Sequence, residues 1–394
     1  NLSSSNINYI FRSKFVTKRS NSTSMSTELM NATMINEMTQ SEITSSEIKN
    51  IKILYLYGVS LLMLFCVISI IVNIKILITM FWIKCPLSPT LYISLSLTGA
   101  DAFSSFFLGI ELLLNSFIPI GLGIELKGIN CFLLALEVVR LGSVIITVYH
   151  LLALANFHKQ YSCILIFFFF RKNKILLILL WMLPISFFAV YFNLIENNGF
   201  QSEGCRNNMF LRHQKFRIVF SNLVFWPFIL MVYIYIHILY IVKRHQTIRL
   251  RFYEAGSPAQ IRAALRKNSN IRQMTRNFRA VHTTLYILGS FVVGWMPAVI
   301  TFVLVCDDCI LQLNRVSARV IFFIHVINNG LIILKTLVNP IIYAAQMDEI
   351  KIATRRMHDA FCGWSKLTHF TTARKTNSVR KRTETEKSIG ETAL

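Results

Sequence analysis

Charged residues are scarce in this chain, and acidic ones are the scarcest. Asp, Glu, Lys and Arg make up 15% of the 394 residues, whereas an average soluble domain has roughly a quarter. The chain has 19 acidic residues and 41 basic ones. The basic residues lie in short segments between apolar stretches, so we attribute the positive charge to membrane topology and expect no nucleic-acid partner.

The chain also lacks the patterns of several other protein classes. Eight cysteines in a chain this long do not make a disulfide scaffold. The histidines of the apolar segments lack metal-ligand spacing, so we expect no metal site, no cofactor and no enzyme. No repeat relates the two halves of the chain and no polar pathway crosses it, which disfavours the alternative of a membrane transporter.

Long apolar segments are what the chain has instead. A helix needs about 20 mostly apolar residues to cross a bilayer. Seven segments meet this requirement: residues 53–82, 90–118, 131–155, 173–195, 216–242, 280–306 and 319–345. They predict an all-α membrane protein, a seven-transmembrane helix bundle over residues 53–346.

The placement of Lys and Arg predicts which side of the membrane each loop faces. Basic residues are dense between spans five and six, from Lys243 to Arg279, where Glu254 is the single acid. Loops rich in Lys and Arg stay in the cytoplasm, so we predict a multi-pass protein of the plasma membrane with an extracellular N-terminus. The basic loop would also attract acidic membrane lipids.

Both ends of the chain have the composition of disordered tails. Residues 1–52 are rich in Ser, Thr and Asn, and residues 363–394 form the predicted cytoplasmic tail. Thr392 and Leu394 resemble the end of a PDZ-domain ligand. The N-terminal tail carries three Asn-x-Ser/Thr glycosylation acceptors, Asn1, Asn21 and Asn31.

Between the last span and the second tail, residues 347–362 predict a short amphipathic eighth helix. One face of this helix is basic, with Lys351, Arg355 and Arg356. Cys362 closes this segment and is a candidate for palmitoylation. The apolar face carries Ile350, Ala353, Met357 and Phe361.

Several spans contain polar or proline landmarks. Asn73 lies in span one and the carboxylate of Asp101 in span two; an intramembrane carboxylate is usually functional, although a polar pair that only fixes packing is the alternative. In span six, Phe291 and Trp295 are four residues apart and share one helix face. Pro297 follows them and bends the helix.

Span seven ends in the most specific motif of the chain, Asn339-Pro340-Ile341-Ile342-Tyr343. Together with the other landmarks, in this order, it resembles the rhodopsin-like G-protein-coupled receptors over about residues 53–362. The resemblance implies a receptor that transduces an extracellular ligand to a heterotrimeric G protein.

The resemblance also assigns roles to individual residues. It implies a disulfide between Cys131 and Cys205 and a sodium ion bound by Asp101, and Trp181 matches a tryptophan of the family. The implied ligand pocket comprises Val138, Gly142, Val219, Leu223, Trp295, Ala298, Phe302, His325 and Asn329. The implied activation switch comprises Asn73, Asp101, Asn156, Pro227, Tyr235, Phe291, Trp295, Pro297, Lys335, Asn339, Pro340 and Tyr343.

The end of span three departs from the family. Asn156 stands where the family has the arginine of an Asp-Arg-Tyr triplet, and Phe167 to Phe170 form an apolar run in the following loop. Two explanations are open, a divergent receptor and an error in the gene model. Since that arginine normally meets the G protein, a receptor-like protein with lost or atypical coupling is the alternative function.

The ligand position of span three also departs from receptors for biogenic amines. Val138 stands where those receptors carry an aspartate, so we expect a small, largely apolar or neutral ligand. Glu137 lies one residue away, about 100° around the helix, which keeps an amine open as an alternative.

Two cations inside the spans are unusual. Lys335 lies four residues before Asn339, on the same face. We hypothesise that its ammonium group pairs with Asp101 and replaces the sodium ion, because buried charges persist when they are paired. The alternatives are a lysine that faces lipid or water, and a sequence error. The sequence offers no account of Arg140.

Overall fold

Seven long apolar helices and one short amphipathic helix make up most of the described chain. The computed structural model describes residues 27–83, 89–159, 173–255, 268–305 and 317–360. The helices are α1 (Thr27–Thr79), α2 (Pro89–Leu112), α3 (Asn130–Lys159), α4 (Asn173–Leu194), α5 (Gln214–Ala255), α6 (Asn268–Leu304), α7 (Ala318–Gln346) and α8 (348–360). Each of α1 to α7 provides a stretch long and apolar enough to cross a membrane, which confirms the predicted seven-helix bundle.

Helix α3 lies at the centre of the bundle. In its apolar stretch 72% of the residues are buried, against 17% in α4. It packs against α2, α4, α5 and α6, while α1 packs against α2 and α7. The outer helices leave apolar side chains such as Leu61, Leu183 and Ile236 exposed, as expected of surfaces that face lipid.

Helix α1 begins earlier than the sequence predicted. We expected a span from residue 53 after a disordered tail, but the structure places residues 27–52 in the same helix. No Gly or Pro interrupts this stretch, and each residue added to an existing helix gains a backbone hydrogen bond. Asn31 lies in this segment, whereas Asn1 and Asn21 lie outside the described residues.

Helix α2 also runs past its predicted end at residue 118. It continues to Leu122 as a wider turn with i→i+5 hydrogen bonds, over Leu113–Leu122. Pro119 lies in this segment; a proline cannot donate a backbone hydrogen bond and crowds the preceding turn, which favours the wider helix. Gly123 ends it with a left-handed conformation, at φ 74°.

The last two helices match their predictions closely. Helix α7 runs from Ala318 to Gln346, and the Ser317 hydroxyl accepts a hydrogen bond from the Val320 amide at its start. In α8 one face is buried and the basic face is exposed, as predicted. The buried face carries Ile350, Ala353 and Met357. The palmitoylation candidate Cys362 and the PDZ-type end, Thr392 and Leu394, lie outside the described residues.

Candidate functional site

A disulfide marks one end of the bundle. Cys131, at the start of α3, is bonded to Cys205 in the loop after α4, as predicted. We call this end of the bundle the disulfide end. The disulfide holds the α4–α5 loop against α3, and so covers that end of the central helix.

A buried ion pair lies near the middle of the bundle. The ammonium of Lys335 on α7 donates to Oδ1 of Asp101 on α2, and both residues are at most 2% exposed. Asn339 Nδ2 donates to the other carboxylate oxygen at 2.6 Å. Ser290 on α6 donates to Asn339 Oδ1 at 2.8 Å. The predicted pairing of Lys335 with Asp101 is therefore present, and polar contacts extend it to α6.

A second polar group links α1 to the same region. Asn73 donates to the Thr336 carbonyl oxygen at 3.0 Å and to the Ser69 carbonyl oxygen at 2.8 Å. The Ser69 and Ser105 hydroxyls lie 2.9 Å apart. Each is within hydrogen-bond distance of the Thr336 hydroxyl, Ser69 at 2.9 Å and Ser105 at 3.1 Å. Helices α1, α2 and α7 are thus joined by hydrogen bonds one residue from the ion pair.

A glycine on α6 makes room for the lysine. A Cβ on Gly294 would lie 2.5 Å from Lys335 Cβ and 3.1 Å from the Leu331 carbonyl oxygen. A separation of 2.5 Å is too short for nonbonded carbon atoms, and 3.1 Å from a backbone oxygen is a tight contact. The close approach of α6 to α7 at this level therefore depends on the missing side chain of Gly294.

Replacing Gly294 with alanine is expected to destabilise the protein by about 1–3 kcal/mol, because α6 and α7 must move apart around Lys335. The measurement is the melting temperature of the purified protein. Gly289→Ala is the matched control, since it lies on the same helix with nothing within 4 Å of its Cβ position. The control should melt at or above the wild type, because alanine favours a helix over glycine by about 1 kcal/mol. Equal melting temperatures for the two variants would contradict the packing argument.

A buried charge triad connects α2 to α3 between the ion pair and the disulfide end. Arg140 Nε donates to Glu137 Oε2 at 2.9 Å, and its Nη2 donates to Glu137 Oε1. Its Nε also lies 3.3 Å from Glu111 Oε2. All three residues are at most 9% exposed. This triad gives Arg140 the account that the sequence did not provide.

Unpaired polar atoms lie on α6 and α7, from the level of the ion pair toward the disulfide end. Trp295 Nε1, both ring nitrogens of His325 and Asn329 Oδ1 have no hydrogen-bond partner among the described residues. The three side chains are at most 7% exposed. His325 precedes Lys335 by ten residues and Glu111 follows Asp101 by ten, so both lie about 15 Å from the ion pair toward the disulfide end.

The remaining predicted pocket residues divide into two groups. Val138, Ala298 and Phe302 are buried, and the Phe302 ring packs edge-on against Phe220 with centroids 5.2 Å apart.

The second group does not face the centre of the bundle. A Cβ on Gly142 would meet Ile185 of α4 at 3.0 Å. Val219 is 44% exposed. Leu223 lines a groove on the outer surface beside Trp226 of α5. Because α5 is apolar on its lipid side as well as its inner side, the sequence could not tell these faces apart.

The predicted switch residues lie mostly in the core. Asn156 is half-buried near the end of α3, the end that we predict to face the cytoplasm. Trp181 donates to the Ser96 hydroxyl at 3.1 Å and so ties α4 to α2. The buried switch residues of α5, α6 and α7 include Pro227, Tyr235, Phe291, Trp295, Pro340 and Tyr343, while Pro297 lies within α6.

The profile described as 7 transmembrane receptor (rhodopsin family) matches residues 133–343, more than half of the chain. The chain belongs to the rhodopsin family of seven-transmembrane receptors. This confirms the resemblance drawn from the sequence landmarks and removes the transporter alternative.

The receptor is also similar to a curated relative. The octopamine receptor beta-1R of Drosophila melanogaster is 26% identical to it over 193 residues, which cover 44% of this chain and 36% of that protein. The chain thus spans little more than a third of the length of this relative.

The residues around Asp101 do not fit the sodium ion that the family resemblance implies. A hard cation needs oxygen ligands, and both carboxylate oxygens of Asp101 already accept hydrogen bonds from nitrogen donors. A sodium ion on Oδ1 would also lie beside the Lys335 ammonium, where the two positive charges repel each other.

Sequence reasoning missed three residues that organise the receptor. Glu111 and Gly294 were not singled out. Glu111 is a carboxylate inside a span, and this alone is enough to make it a candidate functional residue. Arg217 of α5 was also missed; it is 4% exposed and donates to the carbonyl oxygens of Leu211 at 3.0 Å and Phe302 at 2.6 Å. Arg217 joins the start of α5 to the end of α6.

Proposed function

We propose that the receptor binds a small, uncharged extracellular ligand in the disulfide half of the bundle and transduces it to a heterotrimeric G protein. In this proposal the chain lies in the plasma membrane with its N-terminus and disulfide end outside. The proposal rests on the unpaired polar atoms of Trp295, His325 and Asn329. A buried polar group without a partner costs about 1–3 kcal/mol, which a ligand that supplies hydrogen bonds would offset.

The charges near these residues favour an uncharged ligand. An amine needs a carboxylate that is free to pair with it. Val138 is apolar, and Glu137 already receives two hydrogen bonds from Arg140. Hydrogen-bonding groups on a mostly apolar molecule match this surface better than a full positive charge.

The test is a panel of G-protein activation assays in cells that express the receptor at their surface. The panel compares a library of uncharged small molecules with octopamine as a representative amine. We expect activation by uncharged compounds and none by octopamine. Asn329→Leu should weaken an uncharged agonist by about tenfold, which corresponds to the loss of about 1.4 kcal/mol. Val219→Ala, on the exposed face of α5, is the matched control and should leave the agonist's potency unchanged.

One observation favours a second candidate, a cationic ligand held by Glu111. Two carboxylates share the single guanidinium of Arg140, and Glu111 Oε2 receives no hydrogen bond within the described chain. The relative named for octopamine is consistent with this candidate. A response to octopamine that Glu111→Gln abolishes, while Glu111→Gln stays at the cell surface, would favour it over the uncharged ligand.

If the receptor reaches the cell surface but no compound gives a G-protein response, the result would support the alternative of lost or atypical coupling. Asn156 is the residue that motivates this alternative. Asn156→Arg restores the charge that the family carries at this position. A response that appears in Asn156→Arg and is absent from the wild type would mean that the receptor has lost ordinary coupling.

A further inference from the structure

We infer that the ammonium of Lys335 takes the place of a bound cation at Asp101, between α2 and α7. The receptor therefore neutralises this carboxylate with its own side chain and does not respond to sodium. This inference is independent of the ligand and of G-protein coupling. It concerns only what neutralises Asp101 in the middle of the membrane.

The first support is that the carboxylate has no free oxygen. Lys335 occupies Oδ1 and Asn339 occupies Oδ2. Asn339 cannot turn its own amide oxygen toward a metal ion without losing the hydrogen bond from Ser290. Each carboxylate oxygen of Asp101 therefore accepts a hydrogen bond, and one of the donors carries the opposite charge, as a stable buried charge requires.

The second support is that the surrounding helices are shaped for the lysine. Lys335 is 2% exposed, which excludes a side chain that reaches lipid or water. Its Cβ and Cγ lie 2.5 Å and 3.1 Å from the Cβ position of Gly294. Any side chain larger than hydrogen at position 294 would meet the stem of the lysine. The missing side chain of Gly294 on α6 thus leaves the space that the stem of Lys335 fills.

The third support is the difference between a tethered and a dissolved cation. A bound sodium ion dissociates when the sodium concentration of the solution falls. The ammonium of Lys335 is tethered, so its effective concentration beside Asp101 does not depend on the solution. Ionic control through this carboxylate is therefore removed. The receptor should behave identically in sodium and in an organic cation at equal ionic strength.

The test measures the melting temperature of the purified receptor in sodium chloride and in choline chloride of equal concentration. The wild type should melt at the same temperature in both salts. Lys335→Ser leaves Asp101 without its partner and opens space for an ion, so sodium should raise its melting temperature by about 3 °C through binding to the folded state. The control Lys335→Ser with Asp101→Asn lacks the carboxylate and should lose this sodium effect.

Two outcomes would overturn the inference. One is a sodium-specific stabilisation of the wild type that disappears in Asp101→Asn with Lys335→Met. Another is a folded Lys335→Ser variant that melts identically in both salts, since the lysine would then not occupy a cation site. If Lys335→Ser does not fold, Lys335→Asn provides the same comparison, and a sodium effect in the wild type remains decisive against the inference.

Discussion

Replacing Asp101 with asparagine is expected to lower the stability of the receptor by about 3–5 kcal/mol, because it leaves the Lys335 ammonium buried without a counter-charge. Asparagine keeps the size of the side chain and one acceptor oxygen, so little packing is lost. The observed pair is at most 2% exposed, and solvent cannot compensate for the missing carboxylate. The measurements are the surface expression of the variant and its melting temperature after purification.

The matched control removes both charges. Asp101→Asn with Lys335→Met keeps the volume of the two side chains and leaves no buried ion, so it should recover most of the stability lost in Asp101→Asn. Replacing a buried ion pair by neutral groups is often close to neutral, whereas removing one partner is not. A double variant no more stable than Asp101→Asn would mean that the carboxylate acts through the hydrogen bond that it accepts from Asn339 and not through its charge.

The ion pair could be predicted from the sequence because a few local rules determine it. Lys335 lies four residues before Asn339 and so shares its helix face. Asp101 is a carboxylate inside a span, and unlike charges at one depth in a membrane pair with each other. The resemblance then supplied the contact between the two helices. Each step needed only spacing and charge.

The charge triad could be predicted only in part. Glu137 and Arg140 are three residues apart on one helix, which is a spacing that favours an ion pair. The participation of Glu111 depends on the rotation of α2 against α3 and on the wider turns that follow in α2. Neither quantity follows from the residue pattern, because α2 and α3 are apolar around most of their circumference.

The same reasoning explains which pocket residues were misplaced. Val219 and Leu223 were assigned to the interior by their spacing along α5, but the outer face of α5 is as apolar as the inner one. A soluble protein marks its outer faces with charge, and a membrane protein does not. For α7, by contrast, His325 and Asn329 are polar, and polar residues in a span face the bundle.

Among the described residues, polar contacts between helices lie at several depths of the bundle. The family's arginine is replaced by Asn156, which offers no charge to hold a neighbouring helix. In the middle of the bundle, Lys335 and Asp101 join α7 to α2, and Ser290 and Asn339 join α6 to α7. These links join α2, α6 and α7 at the depth of the ion pair, while Arg140 joins α2 to α3 and Arg217 joins α5 to α6 closer to the disulfide end.

Replacing Arg140 with methionine is the second change with a large expected effect. Methionine keeps the length of the side chain but leaves Glu111 and Glu137 buried, facing each other without a counter-charge. We expect a loss of about 3–5 kcal/mol, seen as a lower melting temperature and poor surface expression. The triple variant with Glu111→Gln and Glu137→Gln carries no charge at this site and should recover most of the loss.

The single glutamate variants separate the two carboxylates. Glu137→Gln removes the acid that receives two hydrogen bonds from Arg140, so it should destabilise the receptor strongly, though less than Arg140→Met. Glu111→Gln leaves that pair intact and removes the second of two negative charges, so its stability should stay within about 1 kcal/mol of the wild type. If Glu111→Gln were as damaging as Glu137→Gln, the two acids would share Arg140 equally. If it is nearly neutral, as we expect, the fold does not depend on the charge of the second carboxylate, and the octopamine assay with Glu111→Gln then decides whether a cationic ligand uses it.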